Sequence, residues 1–224
     1  MSSIVDSVRG DLQRRATRKA RESGRTFFKE PVTLYGVRAA GVRTVAQKHF
    51  KDLRDRSKKE IFRLCEELWR SDYIEESGVA CEWSYALRKT YTPDDFAVFQ
   101  RWVWRYVHNW AACDSLCNHT VGTFLEMYPQ FVPKLKTWAR SRNRWMRRAS
   151  AVSLIVPARK GLFLEEVFGI ADILLEDRDD MVQKGYGWML KVASKPHLQE
   201  VFAYIEKNKA AMPRTALRYA IELM

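Results

Sequence analysis

No apolar run in this chain of 224 residues approaches the roughly 18 that a membrane-spanning helix needs, so a transmembrane α-helix is excluded. The opening segment, MSSIVDSVRGDLQRRATRKA, lacks the continuous apolar core of a secretory signal. Its arginines and serines have a faint transit-peptide character, against which Asp6 and Asp11 count. The expectation is a soluble cytoplasmic protein of a prokaryotic cell, with no membrane partner. Cysteine is scarce. Four residues at irregular spacing, Cys65, Cys81, Cys113 and Cys117, exclude a disulfide framework. Cys113 and Cys117 with His119 have the donor types of a metal site. They lack the C-x2-C knuckle and a second distant pair, so buried reduced thiols are expected, with no metal and no cofactor. Hairpin signals are absent as well. AVSLIVPA (151–158) is the one stretch with strand character, and it continues a helical pattern begun at Trp145.

Acid is missing where base is dense. From Met127 to Leu164 no Asp or Glu occurs, while Lys134, Lys136, Arg140, Arg142, Arg144, Arg147, Arg148, Arg159 and Lys160 all do. The formal net charge is +12. So one-sided a stretch departs from the mixed-sign surface of an ordinary helix and favours a polyanion, nucleic acid first.

What is present is helical. SKKE (57–60) has the form of a capping box, followed by Ile61, Leu64, Cys65 and Leu68 at helix spacing. TPDD (92–95) offers a Thr cap, a first-turn proline and carboxylates for the positive end of the dipole. Pro129, Pro133, Pro157, Pro196 and Pro213 punctuate periodic runs. About a dozen helices with short connections result, either as a bundle or as stacked pairs. LWRSD (68–72) and WARSR (138–142) echo one another two HEAT-sized periods apart.

Three helices carry residues that their apolar faces do not explain. On the first, Leu116, Cys113, Phe124, Cys117, Val121 and Leu125 fill one arc, with Asp114 inside its edge and Trp110 beside it. The indole fits core packing, whereas a carboxylate among apolar groups needs a partner or a task. On the second, Arg148 shares the side of Trp145, while Arg147 points toward solvent. Arg148 is either held ready to grip a phosphate or carboxylate by its fork, or paired with a helix terminus or an acid elsewhere. On the third, Trp188 falls outside the apolar face, flanked by Lys184 and Lys191. It suits a stacking contact beside a phosphate backbone, or packing against a neighbouring repeat.

Together these segments resemble the AlkD-like family of DNA alkylation-repair glycosylases. The resemblance is clearest from Trp104 to Val192 and looser upstream, at LYGVR (34–38) and LWRSDYIEE (68–76). The family's aromatic followed four residues on by aspartate is matched by Trp110 and Asp114. Its W-x-x-R is matched by Trp145 and Arg148, and its Q-K-x-x-G-W by Gln183, Lys184, Gly187 and Trp188. Where many members carry an aspartate after the first tryptophan, this chain has Ala111.

The resemblance implies an all-α fold in one domain over residues 1–224. The fold would be a right-handed superhelix of about six stacked HEAT-like antiparallel helix pairs with a concave basic face. It implies a monomeric, monofunctional hydrolase that cleaves the N-glycosidic bond of cationic alkylated purines in duplex DNA, with a lesion that need not enter a tight pocket. Asp114, Trp110 and Trp188 are then the expected catalytic group, and Arg148, Lys184, Lys191, Arg144 and Tyr35 the expected DNA contacts. A non-catalytic module binding duplex nucleic acid through the same face is the alternative, and an interaction scaffold for acidic partners the third reading.

Overall fold

The computed structural model describes residues 3–224, and among these every regular element is helical. The chain forms two compact units, one ending at Thr92 and one running from Pro93 to Met224.

The first unit holds α1 (Ile4–Arg15), α2 (Arg18–Phe27), α3 (Ala39–Phe50), α4 (Lys58–Trp69) and α5 (Ile74–Ala86). α4 starts as SKKE predicts. Ser57 Oγ accepts the Glu60 amide, and Glu60 returns a carboxylate oxygen to the Ser57 amide at 2.9 Å. α3 and α4 both pack on α5, which buries Val45, Ile61, Leu68, Val79 and Trp83. Between α2 and α3 the LYGVR segment is latched by a buried acid. The Glu75 carboxylate accepts the amides of Tyr35 (3.0 Å), Gly36 (2.8 Å) and Val37 (3.0 Å). Gly36 is required there: its φ is +97°, and a Cβ would lie 2.6 Å from the Thr17 carbonyl.

The second unit begins with α6 (Asp95–Tyr106). Asp94, at the cap position of that helix, makes no side-chain cap hydrogen bond. α7 (Trp110–Ser115) continues through a π-helical segment (Leu116–Val121) into α8 (Gly122–Met127). The following helices are α9 (Leu135–Ala139), α10 (Arg144–Val152), α11 (Ile155–Arg159), α12 (Leu164–Leu174), α13 (Asp180–Ala193), α14 (Leu198–Asn208) and α15 (Arg214–Ala220). They pack as two rows within this unit. α7, α10, α13 and α15 contact in succession, and α9 packs on α12 behind them. Trp138, Phe99, Phe124 and Tyr186 fill the space between.

The LWRSD and WARSR echo is a recurring turn. Ser71 Oγ accepts the Tyr73 amide at 3.3 Å, Ser141 Oγ accepts the Asn143 amide at 3.1 Å, and Asp177 Oδ1 accepts the Asp179 amide at 2.9 Å. Each time a short polar side chain folds back on the backbone two residues ahead and starts the next helix. A turn reused at repeat spacing is what stacked helical pairs require.

Candidate active site

α7 is positioned by its first residue. Asn109 Oδ1 accepts the Ala112 amide at 2.9 Å, which fixes the helix start and sets Trp110 and Asp114 one turn apart on one side. Beneath them Cys113 and Cys117 are buried free thiols, and burial raises the Cys113 pKa and keeps it protonated. Among the described residues no three His, Cys, Asp or Glu side chains gather to hold a metal ion.

Asp114 meets Arg148 across the α7–α10 packing. Arg148 Nε donates to Oδ1 at 2.9 Å and Nη2 to Oδ2 at 2.8 Å, while Nη1 donates to the Met181 carbonyl at the start of α13. The side chains are 15% and 6% exposed, so this is a buried, two-pronged ion pair that ties three helices together. Burial pushes the Asp114 carboxyl above the ordinary aspartate value, and the bonds and charge of Arg148 oppose that push. Burial also disfavours the Arg148 cation, yet Asp114 outweighs it and the guanidinium pKa is raised. A guanidinium that never gives up its proton, docked by its fork, is matched to a carboxylate rather than to a carboxylic acid. The fork that could have gripped a phosphate therefore faces Asp114.

Arg147 departs from the solvent placement that its helical wheel suggests. It donates to Asp177 Oδ2 at 2.6 Å and to the carbonyls of Ser141 and Arg142, joining two of the repeat turns. Helical phase gives a residue's direction but not which distant acid lies in its way.

α13 supplies the remaining side of the site. A Cβ at Gly185 would lie 3.3 Å from Arg148 Cγ, so Gly185 faces Arg148, and Trp188, three residues on, follows on that side. Trp188 is half-buried, and among the described residues its ring and Nε1 make no ring contact or hydrogen bond. Gln183 and Gly187 have structural work in the Q-K-x-x-G-W segment. Gln183 Nε2 donates to the Asp177 carbonyl at 2.7 Å, and a Cβ at Gly187 would lie 2.6 Å from the Ala216 carbonyl of α15. Each cation on this face has an acid: Arg144 with Asp179 at 2.9 Å, Lys184 with Asp180 at 3.3 Å, Lys191 with Glu222 at 2.9 Å. Partly exposed pairs of this kind contribute about 0–1 kcal/mol each, so they hold their cations weakly.

Tyr35 belongs to the first unit. It is 8% exposed, its hydroxyl donates to Glu76 at 2.6 Å, and its ring stacks on Tyr73 at 4.0 Å, so hydroxyl and one face are engaged there. Sequence reading missed Asn109, Asp177 and Asp179, which position the site. Their signal was available: each is a short polar residue directly before or near a helix start.

The model of a protein family described as DNA alkylation repair enzyme matches residues 8–224. No curated protein matches the chain. Among solved structures it resembles a predicted DNA alkylation repair enzyme from Enterococcus faecalis, at 14% identity and a TM-score of 0.84, over 94% of this chain and 97% of the other. It also resembles smu.31 from Streptococcus mutans UA159, at 18% identity and a TM-score of 0.65, over 99% of this chain and 100% of that one. At such identities the likeness is one of fold.

Proposed function

Since the chain belongs to the DNA alkylation repair enzyme family, we propose that it is a monofunctional glycosylase releasing cationic N3- or N7-alkylated purines from duplex DNA. The observation that carries this reading is Asp114: a carboxylate withdrawn from water, held by Arg148, on the side of its helix that carries Trp110. A phosphate-binding surface gains nothing from such a group. A glycosylase does, because breaking the C1′–N bond leaves positive charge on the deoxyribose.

The alkylated base is already cationic, so it takes the bonding electron pair and departs neutral, without a strong general acid. Asp114 then faces the developing oxocarbenium, where a fixed charge in a low-dielectric setting is worth more than in water. Water adds at C1′ and loses its proton to the carboxylate or to solvent. Trp110 and Trp188 present indole faces to the cationic nucleotide, each contact worth about 0.5–2 kcal/mol. Arg148 acts through Asp114 by holding it in pose and ionised. Arg144, Lys184 and Lys191 exchange their surface acids for the DNA backbone.

The test is release of 7-methylguanine or 3-methyladenine from methylated duplex DNA by wild type and Asp114→Asn. The variant should lose roughly 10²-fold or more, the scale of removing one preorganised electrostatic group. Equal turnover by the two proteins overturns the role of Asp114. Duplex binding without release by wild type would instead favour a binding module.

A further inference from the structure

A second feature of the Pro93–Met224 unit takes no part in that chemistry. Trp104, near the end of α6, is 54% exposed, an unusual position for the largest apolar side chain. It forms one wall of an open depression of about 440 Å³, a volume ordinary for ligand sites, whose floor is the buried side chains of Phe96 and Met146. Gln100, Arg101 and Lys134 complete the rim. The Trp138 indole donates to Gln100 Oε1 at 3.1 Å, which orients the carboxamide and leaves its nitrogen as a donor. Trp104 is also tied to the start of α10, since Asn143 Nδ2 donates to its carbonyl at 3.3 Å while Asn143 Oδ1 caps that helix. The depression therefore adjoins the helix that carries Arg144 and Arg148.

We propose that this depression receives an unstacked nucleotide of the DNA strand, its base on Trp104 and its phosphate on Arg101 and Lys134. The occupant follows from charge and shape. Lys134 opens the acid-free stretch between Met127 and Leu164, and exposed Lys136, Arg140 and Arg142 extend that positive surface. A flat indole stacks any base, and an oriented amide donor meets the ring nitrogens and carbonyl oxygens that bases present. Runs of acidic residues offer charge for the cations but no flat ring for the indole. The site thus holds a nucleotide that has left the stack while Asp114 acts on another, and it rests on the reading that the chain acts on DNA.

The experiment compares Kd by fluorescence anisotropy, at one fixed salt concentration, for a fully paired duplex and the same duplex carrying a single unpaired thymidine. Wild type should prefer the bulged duplex by about tenfold, the scale of one base–aromatic stack. In Trp104→Ala that preference should fall toward unity, Trp104→Phe should keep part of it, and Gln100→Ala should lie between. Equal affinity of wild type for the two duplexes, or a preference that survives Trp104→Ala, overturns the site. Trp104-dependent binding of a poly-glutamate peptide without bulge preference overturns it in favour of a protein partner. Failure of wild type to bind either duplex or to release alkylated purine is a different result, because it removes the glycosylase reading on which the site rests.

Discussion

Replacing Arg148 by Met removes the cation but keeps much of the side-chain volume, and it leaves Asp114 with a side chain only 15% exposed and no counter-ion. Stranding one member of a buried pair costs about 3–5 kcal/mol, a large part of the roughly 5–15 kcal/mol that holds a typical protein folded. For a chain of this size that is a fall in Tm of roughly 6–20 °C. The Arg148 bond to the Met181 carbonyl is lost too, so the upper half of the range is expected. The penalty carries a pH signature. Burial already raises the Asp114 pKa, and without Arg148 it rises further. A carboxyl whose folded pKa lies above its unfolded one favours folding at low pH and loses that contribution as pH rises through the folded value. The cost of Arg148→Met should therefore be small in acid, grow through the range above the ordinary 3.8 and level off once Asp114 is ionised. Adding Asp114→Asn removes the stranded charge and should bring the double variant within about 1–2 kcal/mol of wild type. Urea or thermal denaturation of wild type, the two single variants and the double variant at acidic and neutral pH measures all of this. A neutral-pH penalty below about 1 kcal/mol, with no recovery in the double variant, refutes the account.

The acid limb of base release by wild type should lie at higher pH than for an exposed aspartate, since activity needs the carboxylate and burial raises its pKa; Arg148→Lys should move the limb higher still, and a limb indifferent to that change would contradict the pairing. Asp11 accepts Lys48, Arg14 and His49, and the bonds from Lys48 and then Arg14 hold its carboxyl well below the usual range. A depressed carboxyl stabilises above its unfolded pKa and loses that contribution as pH falls through the folded value, so Asp11→Asn should cost about 1–3 kcal/mol at neutral pH and progressively less in acid, followed by thermal denaturation. Gly36→Ala places a Cβ against the Thr17 carbonyl at a positive φ, and chemical denaturation should show a loss of about 1–3 kcal/mol, whereas an unchanged midpoint would mean the turn yields freely.

Much of this fold was legible because its signals are local. The Ser57 capping box formed as the sequence specified, and the arc from Cys113 to Leu125 is buried throughout. Asp114 stood out because a carboxylate among apolar neighbours has to be answered, and the answer is one of the alternatives open for Arg148. What stayed hidden depends on contacts far along the chain. The wheel aims Arg147 outward, but the turn before α13 brings Asp177 into its path, and Glu76 draws the Tyr35 hydroxyl inward. The exposed Trp104 reads in sequence like any core aromatic; only burial separates the two.

The π-helical segment Leu116–Val121 holds one residue more than an α-helix of the same length, and that surplus shifts by about 100° the phase of everything after it relative to Asp114. Asn118, inside the wide turn, keeps a buried Oδ1 without a hydrogen-bond partner among the described residues. A relative that is one residue shorter here can therefore be a regularised helix rather than a damaged one. The same economy is open to an engineer: excising Asn118 lets the turn close, removes an unsatisfied oxygen and favours the folded state. Because the wide turn has already absorbed that residue, closing it leaves Asp114 and the core residues after it in their present directions, and the aim at Arg148 is kept.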